Sequence, residues 1–202
     1  MHNGYTRGST LIAYGNNSSY MSSDGMSGTD AYWAGYYQQE RAKDLNDYQV
    51  AQGYSLQGRA TAGDYEPGWE SASITKRLVD GANAFGWVLN YNFGSADGCP
   101  YTFSGQDGQT CAAGGYTWPL GDVGYVSYSG ATVPLPEIYY SIPDQAAQWT
   151  AIRKWWNHFV GGFNFFGVTG EHPAQITPGR GFARLSSKNP GLVLPELVCF
   201  GC

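Results

Sequence analysis

Arg59-Ala-Thr-Ala-Gly-Asp-Tyr-Glu66, Pro67-Gly68-Trp69, then Glu70 to Phe85, Gly86, and Trp87-Val-Leu-Asn-Tyr-Asn-Phe93 decide the fold. The first segment reads as a strand, and Pro67-Gly68 stops it because proline cannot donate to a ladder. From Glu70 to Phe85, Ile74, Leu78 and Ala82 recur at i, i+4 spacing, which predicts a helix. Gly86 supplies the left-handed residue that ends such a helix. Trp87 to Phe93 reads as a second strand. Strand, helix and strand over 35 residues predict two parallel strands joined by a helical crossover.

The same alternation extends outward. Upstream, Ser9 to Gly15 reads as a buried strand, and a polar loop runs from Asn16 to Gly28. Thr29 or Asp30 can cap a helix to about Gln52, with Ala31, Ala34, Ala42 and Leu45 as its apolar face. Downstream, Asp122–Ser129 and Val133–Tyr140 read as strands. Pro143-Asp144 opens a helix whose apolar positions are Trp149, Ile152, Trp156 and Phe159. Phe163–Thr169 reads as a strand, and the last thirty residues read mostly as loop. Six candidate strands in 202 residues predict an α/β domain built as a small or irregular (β/α) TIM-like barrel. Eight full units usually need about 250 residues. An open parallel α/β sheet is the alternative, although no Gly-rich phosphate turn follows the first strand. No internal repeat or linker divides the chain, so residues 1–202 read as a single domain with a cysteine-bracketed loop at 98–115.

Composition narrows the class. Charged residues are 13% of the chain, with 29 Gly, 16 Tyr and 7 Trp. Average usage is about 25% charged. Few charges with many Gly and Tyr suit an extracellular or cell-surface protein with long ordered loops. The net charge is −5, and the cation pairs Arg41/Lys43, Lys76/Arg77 and Arg153/Lys154 all sit in helix-like segments. Nucleic acid is therefore not expected as a partner, because its affinity comes from phosphate neutralisation. No apolar run approaches 18 residues, so no membrane span is expected. The opening residues, Met1-His-Asn-Gly-Tyr5, lack the charged start and apolar run of a leader. The expectation of export thus rests on composition and cysteines.

Cys99, Cys111, Cys199 and Cys202 allow three pairings. Two local disulfides are expected. A four-thiolate zinc site is the alternative, though the Cys99/Cys111 spacing is wide for a zinc knuckle. With three scattered His and no His-Glu-x-x-His, no metal site and no cofactor are expected.

The candidate chemistry lies at strand ends. Asp64 and Glu66, two residues apart, leave the same face at the C-terminal end of their strand. Glu137 falls within Pro134-Leu-Pro-Glu-Ile-Tyr-Tyr140, where an apolar setting makes a carboxylate costly unless it is partnered. Two carboxyl groups, one kept protonated and one ionised, are what glycoside hydrolysis requires. These three are the candidate catalytic residues. Trp69, Asn90, Asn92, Tyr128, Tyr139 and Glu171 are the candidate substrate-binding residues, the aromatics offering faces to sugar rings.

Ala62-Gly-Asp-Tyr-Glu-Pro-Gly-Trp69 resembles the Asp-x-Glu strand end of glycoside-hydrolase-like TIM barrels such as family 25 lysozymes and family 18 chitinases. Val133-Pro-Leu-Pro-Glu-Ile-Tyr-Tyr140, with Gln148-Trp149 on the next helix, resembles secreted bacterial proteins of the same glycoside-hydrolase-like kind. The resemblance covers residues 60–170. It implies Glu66 as acid/base, Asp64 as its supporting carboxylate, and Glu137 and Tyr139 lining the site. Thr61 and Ala62 stand where chitinases carry further acids, and Leu11-Ile-Ala-Tyr-Gly15 carries no acid of the lysozyme kind. The expected function is a secreted glycosidase acting on polysaccharide or peptidoglycan. The alternatives are a non-catalytic glycan-binding barrel and a structural, self-assembling surface subunit.

Overall fold

The computed structural model describes residues 10–54, 57–171, 175–191 and 196–200. The chain opens with β1 (Thr10–Asn17), the one-turn α1 (Ser19–Ser23) and the long α2 (Gly28–Ala51). The strand–helix–strand unit of residues 59–93 follows as β2 (Gln57–Asp64), α3 (Ala72–Phe85) and β3 (Asn90–Asn92). A hairpin, β4 (Thr110–Ala113) and β5 (Tyr116–Pro119), precedes α4 (Leu120–Ser127) and β6 (Thr132–Pro134). The rest is α5 (Gln145–Phe159), β7 (Gly167–Glu171), α6 (Pro178–Lys188) and β8 (Glu196–Phe200).

The fold is mixed α/β. A four-stranded parallel sheet has the order β1-β2-β3-β6, and β7 and β8 form a parallel pair. Backbone bonds carry the chain from β6 to β7: Phe166 N–H donates to Pro134 O at 2.8 Å, and Thr169 N–H to Pro136 O at 2.8 Å. Glu137 and Thr169 are parallel bridge partners. The parallel strands thus succeed one another in chain order. A doubly wound sheet instead reverses its order at a switch point. No closed barrel forms among the described residues.

Capping and packing explain the helices. Ser27, not Thr29 or Asp30, caps α2, in a reciprocal capping box with Asp30. Ser71 caps α3 and Asp144 caps α5, and Gly86 ends α3 with φ 57°. α2 crosses α3 through two glycines. A Cβ on Gly35 would sit 1.9 Å from the Leu78 carbonyl oxygen, and one on Gly81 would sit 1.8 Å from that of Tyr32. On α5, Trp149, Ile152 and Trp156 are buried as expected, whereas Phe159 is 45% exposed.

The pleat divides the residues of the sheet. Ala60, Ala62, Tyr91, Val133 and Leu135 form a small apolar cluster on one face, joined by Phe93 and Phe166. The residues between them face the helices, where Tyr65, Leu78, Trp118, Ile138, Trp149 and Val168 belong to the main core.

Several expectations are corrected. Residues 122–129 are not a strand: α4 covers Leu120–Ser127, because Val123, Val126 and Leu120 form a helical apolar stripe. The strands read over 87–93 and 133–140 shrink to three residues each. The tail is not mostly loop, since α6 and β8 lie there. The loop at 98–115 contains the β4 strand of a hairpin, and Cys99 and Cys111 form a disulfide. A four-thiolate zinc site is thereby excluded, because neither of these sulfurs is a thiolate. The Cys199–Cys202 pairing lies outside the described residues. Among the described residues, no helix is long and apolar enough to cross a membrane.

Candidate active site

Three chain segments meet at the C-terminal end of β2. Ser18, fully buried just after β1, holds the end of that strand: its N–H donates to Asp64 O at 2.9 Å, and its Oγ accepts from Glu66 N–H at 3.4 Å. From β3, Asn92 Oδ1 accepts from Tyr65 N–H at 3.3 Å and from Gly94 N–H at 3.0 Å. Ser95 N–H then donates to Glu66 Oε1 at 3.0 Å. Glu137 N–H donates to Gly94 O at 3.3 Å, so the 94–95 turn touches both glutamate segments. Only glycine fits at position 94, because a Cβ there would lie 2.6 Å from the Tyr65 carbonyl oxygen.

This framework brings Asp64, Glu66 and Glu137 together, with one carboxyl oxygen from each within 4.8 Å of the others. Their common face is that of the Ala60/Ala62/Val133/Leu135 cluster, because each acid continues the even-spaced series of its own segment. Glu66 is 8% exposed and Glu137 7%, while Asp64 is half-buried. Burial pushes the Glu66 carboxyl above its ordinary range, and the charge of Asp97 pushes the same way. The Ser95 amide and a hydrogen bond with Asp64 pull it down, less strongly than burial raises it. The cluster therefore offers a carboxyl that keeps its proton to higher pH than an ordinary glutamate, beside an acidic neighbour. Three such oxygens could also span a hard divalent cation, which takes carboxylate ligands.

Tyr139 stands at the rim. Burial raises its phenol, and the charges of Glu137, Glu66 and Asp97 add to this, which puts the ring among the acids. Its backbone is fixed by Gln145, whose Oε1 accepts from both Tyr139 N–H and Tyr140 N–H at 2.9 Å. Gln145 Nε2 reaches Asp97 Oδ1 at 3.5 Å. Asp97 and Gln145 were not among the sequence candidates. Asp97 carried a readable signal, an acid just past a strand end. Gln145 carried none, since a glutamine at a helix start has no distinctive pattern.

The remaining candidates divide. Trp69 is half-buried and closes the turn after β2, its N–H donating to Glu66 O at 3.3 Å. Asn90 faces the helices instead of the acids. It is fully buried, accepting from Thr61 Oγ1 at 3.0 Å and donating to Thr132 Oγ1 at 3.1 Å. Asn92 is also fully buried, with Nδ2 donating to Ser127 Oγ at 2.8 Å, so it positions the strand ends and has no surface to offer a sugar. Tyr128 caps α4 ahead of β6, at the opposite strand end from the acids, and packs 5.0 Å from the Phe163 ring. Glu171 ends β7, and its side chain lies outside the described residues.

No protein-family description, curated protein or solved structure matches this chain.

Proposed function

We propose that the protein is a glycosidase-like enzyme that cleaves O-glycosidic bonds in polysaccharide or peptidoglycan, on a barrel-type α/β scaffold, outside the cell. Glu66 donates the proton to the leaving oxygen. Asp64 or Glu137 meets the positive charge that develops on the sugar ring. The observation that carries this reading is the convergence of three carboxyl groups within 4.8 Å at the C-terminal strand ends. These oxygens stand too close together for the wider, inverting geometry. Retaining enzymes place the two groups about 5–5.5 Å apart, whereas inverting enzymes leave about 6.5–9.5 Å for a water. Tyr139 lies beside the cluster as an aromatic face for the sugar.

The test is hydrolysis of a panel of bacterial and plant polysaccharides and peptidoglycan, with the anomer of the first product followed by NMR. Cleavage with retention, abolished in Glu66→Gln, supports the reading. Inversion would remove the assigned pairing of the acids.

One observation favours a second reading, a non-catalytic glycan-binding barrel: Glu66 and Glu137 are both under a tenth exposed. In that case the wild type cleaves nothing, and Glu66→Gln binds glycan as the wild type does.

A further inference from the structure

A second concave feature lies between β1 and α2, a cavity of ≈ 430 Å³. That volume suits a small ligand or one sugar unit. Tyr14 and Tyr37, each about half exposed, and Tyr20 supply aromatic walls. Tyr37 is held by stacking on Trp33, with ring centroids 5.7 Å apart and planes 26° from parallel. Gln38 is 4% exposed and fully engaged. Its Nε2 donates to Tyr14 O at 3.0 Å and Ala62 O at 2.9 Å, and its Oε1 accepts from Asn16 Nδ2 at 3.0 Å. That last bond fixes the Asn16 amide and leaves its Oδ1 buried without a donor. An unmet buried acceptor is costly in a folded protein and marks a place where a ligand hydroxyl would be stabilising. At the mouth stands Arg41, 69% exposed and only loosely paired with Asp44 at 3.9 Å.

Aromatic faces, an unmet acceptor and a guanidinium together select a ring with an apolar face, hydroxyl donors and an anionic group. We propose that this cavity is a subsite for an acidic pyranose, a sugar ring carrying a carboxylate, within a glycan chain. The proposal rests on the glycan reading of the carboxylate site and names its substrate class. β1 links the two sites along the chain: Tyr14 and Asn16 stand on its helix-facing side, as register partners of Thr61 and Gly63, and Ser18, just after the strand, holds Asp64 and Glu66.

Calorimetric titration of Glu66→Gln protein with tetragalacturonate and with neutral galactotetraose tests it without cleavage. The acidic oligomer is expected to bind about fivefold tighter, the scale of one exposed ion pair. Tyr37→Ala should weaken both oligomers about tenfold, the scale of one aromatic contact. Arg41→Gln should lower the acidic oligomer to the neutral level and leave the neutral one alone. Both side chains are exposed, so an unchanged melting temperature in each variant separates lost binding from lost folding. Equal affinity for the two oligomers overturns the acidic assignment. No binding, or binding indifferent to both substitutions, overturns the subsite. Wild-type protein that binds as described but cleaves no glycan sinks the hydrolase reading and leaves the subsite standing.

Discussion

The amide of Ser95 holds the carboxyl of Glu66: the N–H, on the loop after β3, reaches Oε1, on the loop after β2, at 3.0 Å. The proposed proton donor is therefore oriented from the neighbouring strand as well as by Asp64 at the end of its own. Burial raises this carboxyl, and an ordinary glutamate sits at 4.5. A raised value means that the folded state holds the proton more tightly than the unfolded chain does. Its favourable contribution is complete below pH 4.5 and is lost as pH rises through the folded value. Glu66→Gln should accordingly melt above the wild type at pH 7, with the gap closing below pH 4.5. Thermal denaturation across this range measures it, and a constant gap at all pH values contradicts the assignment. In the same variant, hydrolysis should fall about 10²–10⁴-fold, the usual worth of a general acid.

Asn92 is the second support of the site. It takes two backbone N–H groups and donates to Ser127, all in a fully buried setting. Asn92→Ala strands the Tyr65 and Gly94 donors beneath the acids. A loss of about 2–4 kcal/mol is expected from leaving these groups unmet, read by urea denaturation. The conservative Asn92→Asp keeps the acceptor but places a charge near the cluster. It should lower cleavage more than it lowers substrate affinity, since it acts on the alignment of Glu66.

How much of this was legible beforehand follows from what each signal depends on. α3 and α5 were readable because their apolar spacing, the Pro143-Asp144 start and the terminating Gly86 are local properties, whereas α2 was located with the wrong cap and with Leu45, which is 45% exposed, on its expected apolar face. Asp64 and Glu66 were readable because a period of two and a following Pro-Gly fix both their face and their end of the strand. Asn90 and Asn92 lie two positions apart and so share a face, but parity alone does not say which face meets the helices. That depended on Thr61, Thr132 and Ser127, which lie 29, 42 and 35 positions away from their asparagine partners. The stretch 122–129 misled because Val123-Gly-Tyr-Val126 is rich in strand-favouring residues. Packing overrode that preference: Gly121 and Gly124 bring α4 against Trp155 and Trp156, where a Cβ would sit 2.4 Å from either ring. The cavity at Tyr14 and Tyr37 had no local signature at all, since β1 and α2 build it together.

The α2–α3 crossing makes a sharper demand. Gly35→Ala or Gly81→Ala places a methyl group within 2 Å of a carbonyl oxygen on the other helix. Backbone cannot rotate away as a side chain can, so the helices must separate. Each substitution should cost about 3 kcal/mol, the upper end for overpacking, and the double variant less than the sum because the first opens the gap for the second. Denaturant midpoints of the two single variants and the double variant decide this. Simple additivity would mean that the two contacts do not share one crossing.

The disulfide supplies the last prediction. Cys99 and Cys111 are buried and twelve residues apart, and of the two aromatics between them Phe103 packs against the core while Tyr101 is 53% exposed. Loop closure over that length is worth about 3 kcal/mol in the unfolded chain. Cys99 also supplies a carbonyl that accepts from Gln148 Nε2 at 3.0 Å, which links the loop to α5. Asp97, whose charge bears on Glu66 and Tyr139, lies two residues before Cys99. Replacing both cysteines by serine should therefore lower stability by about 3 kcal/mol. It should also loosen Asp97 and lower the pH at which Glu66 titrates, since less acidic charge would face it. Denaturation measures the first effect and the pH profile of cleavage the second. A stability loss with an unmoved profile would show that Asp97 is held by Gln145 alone.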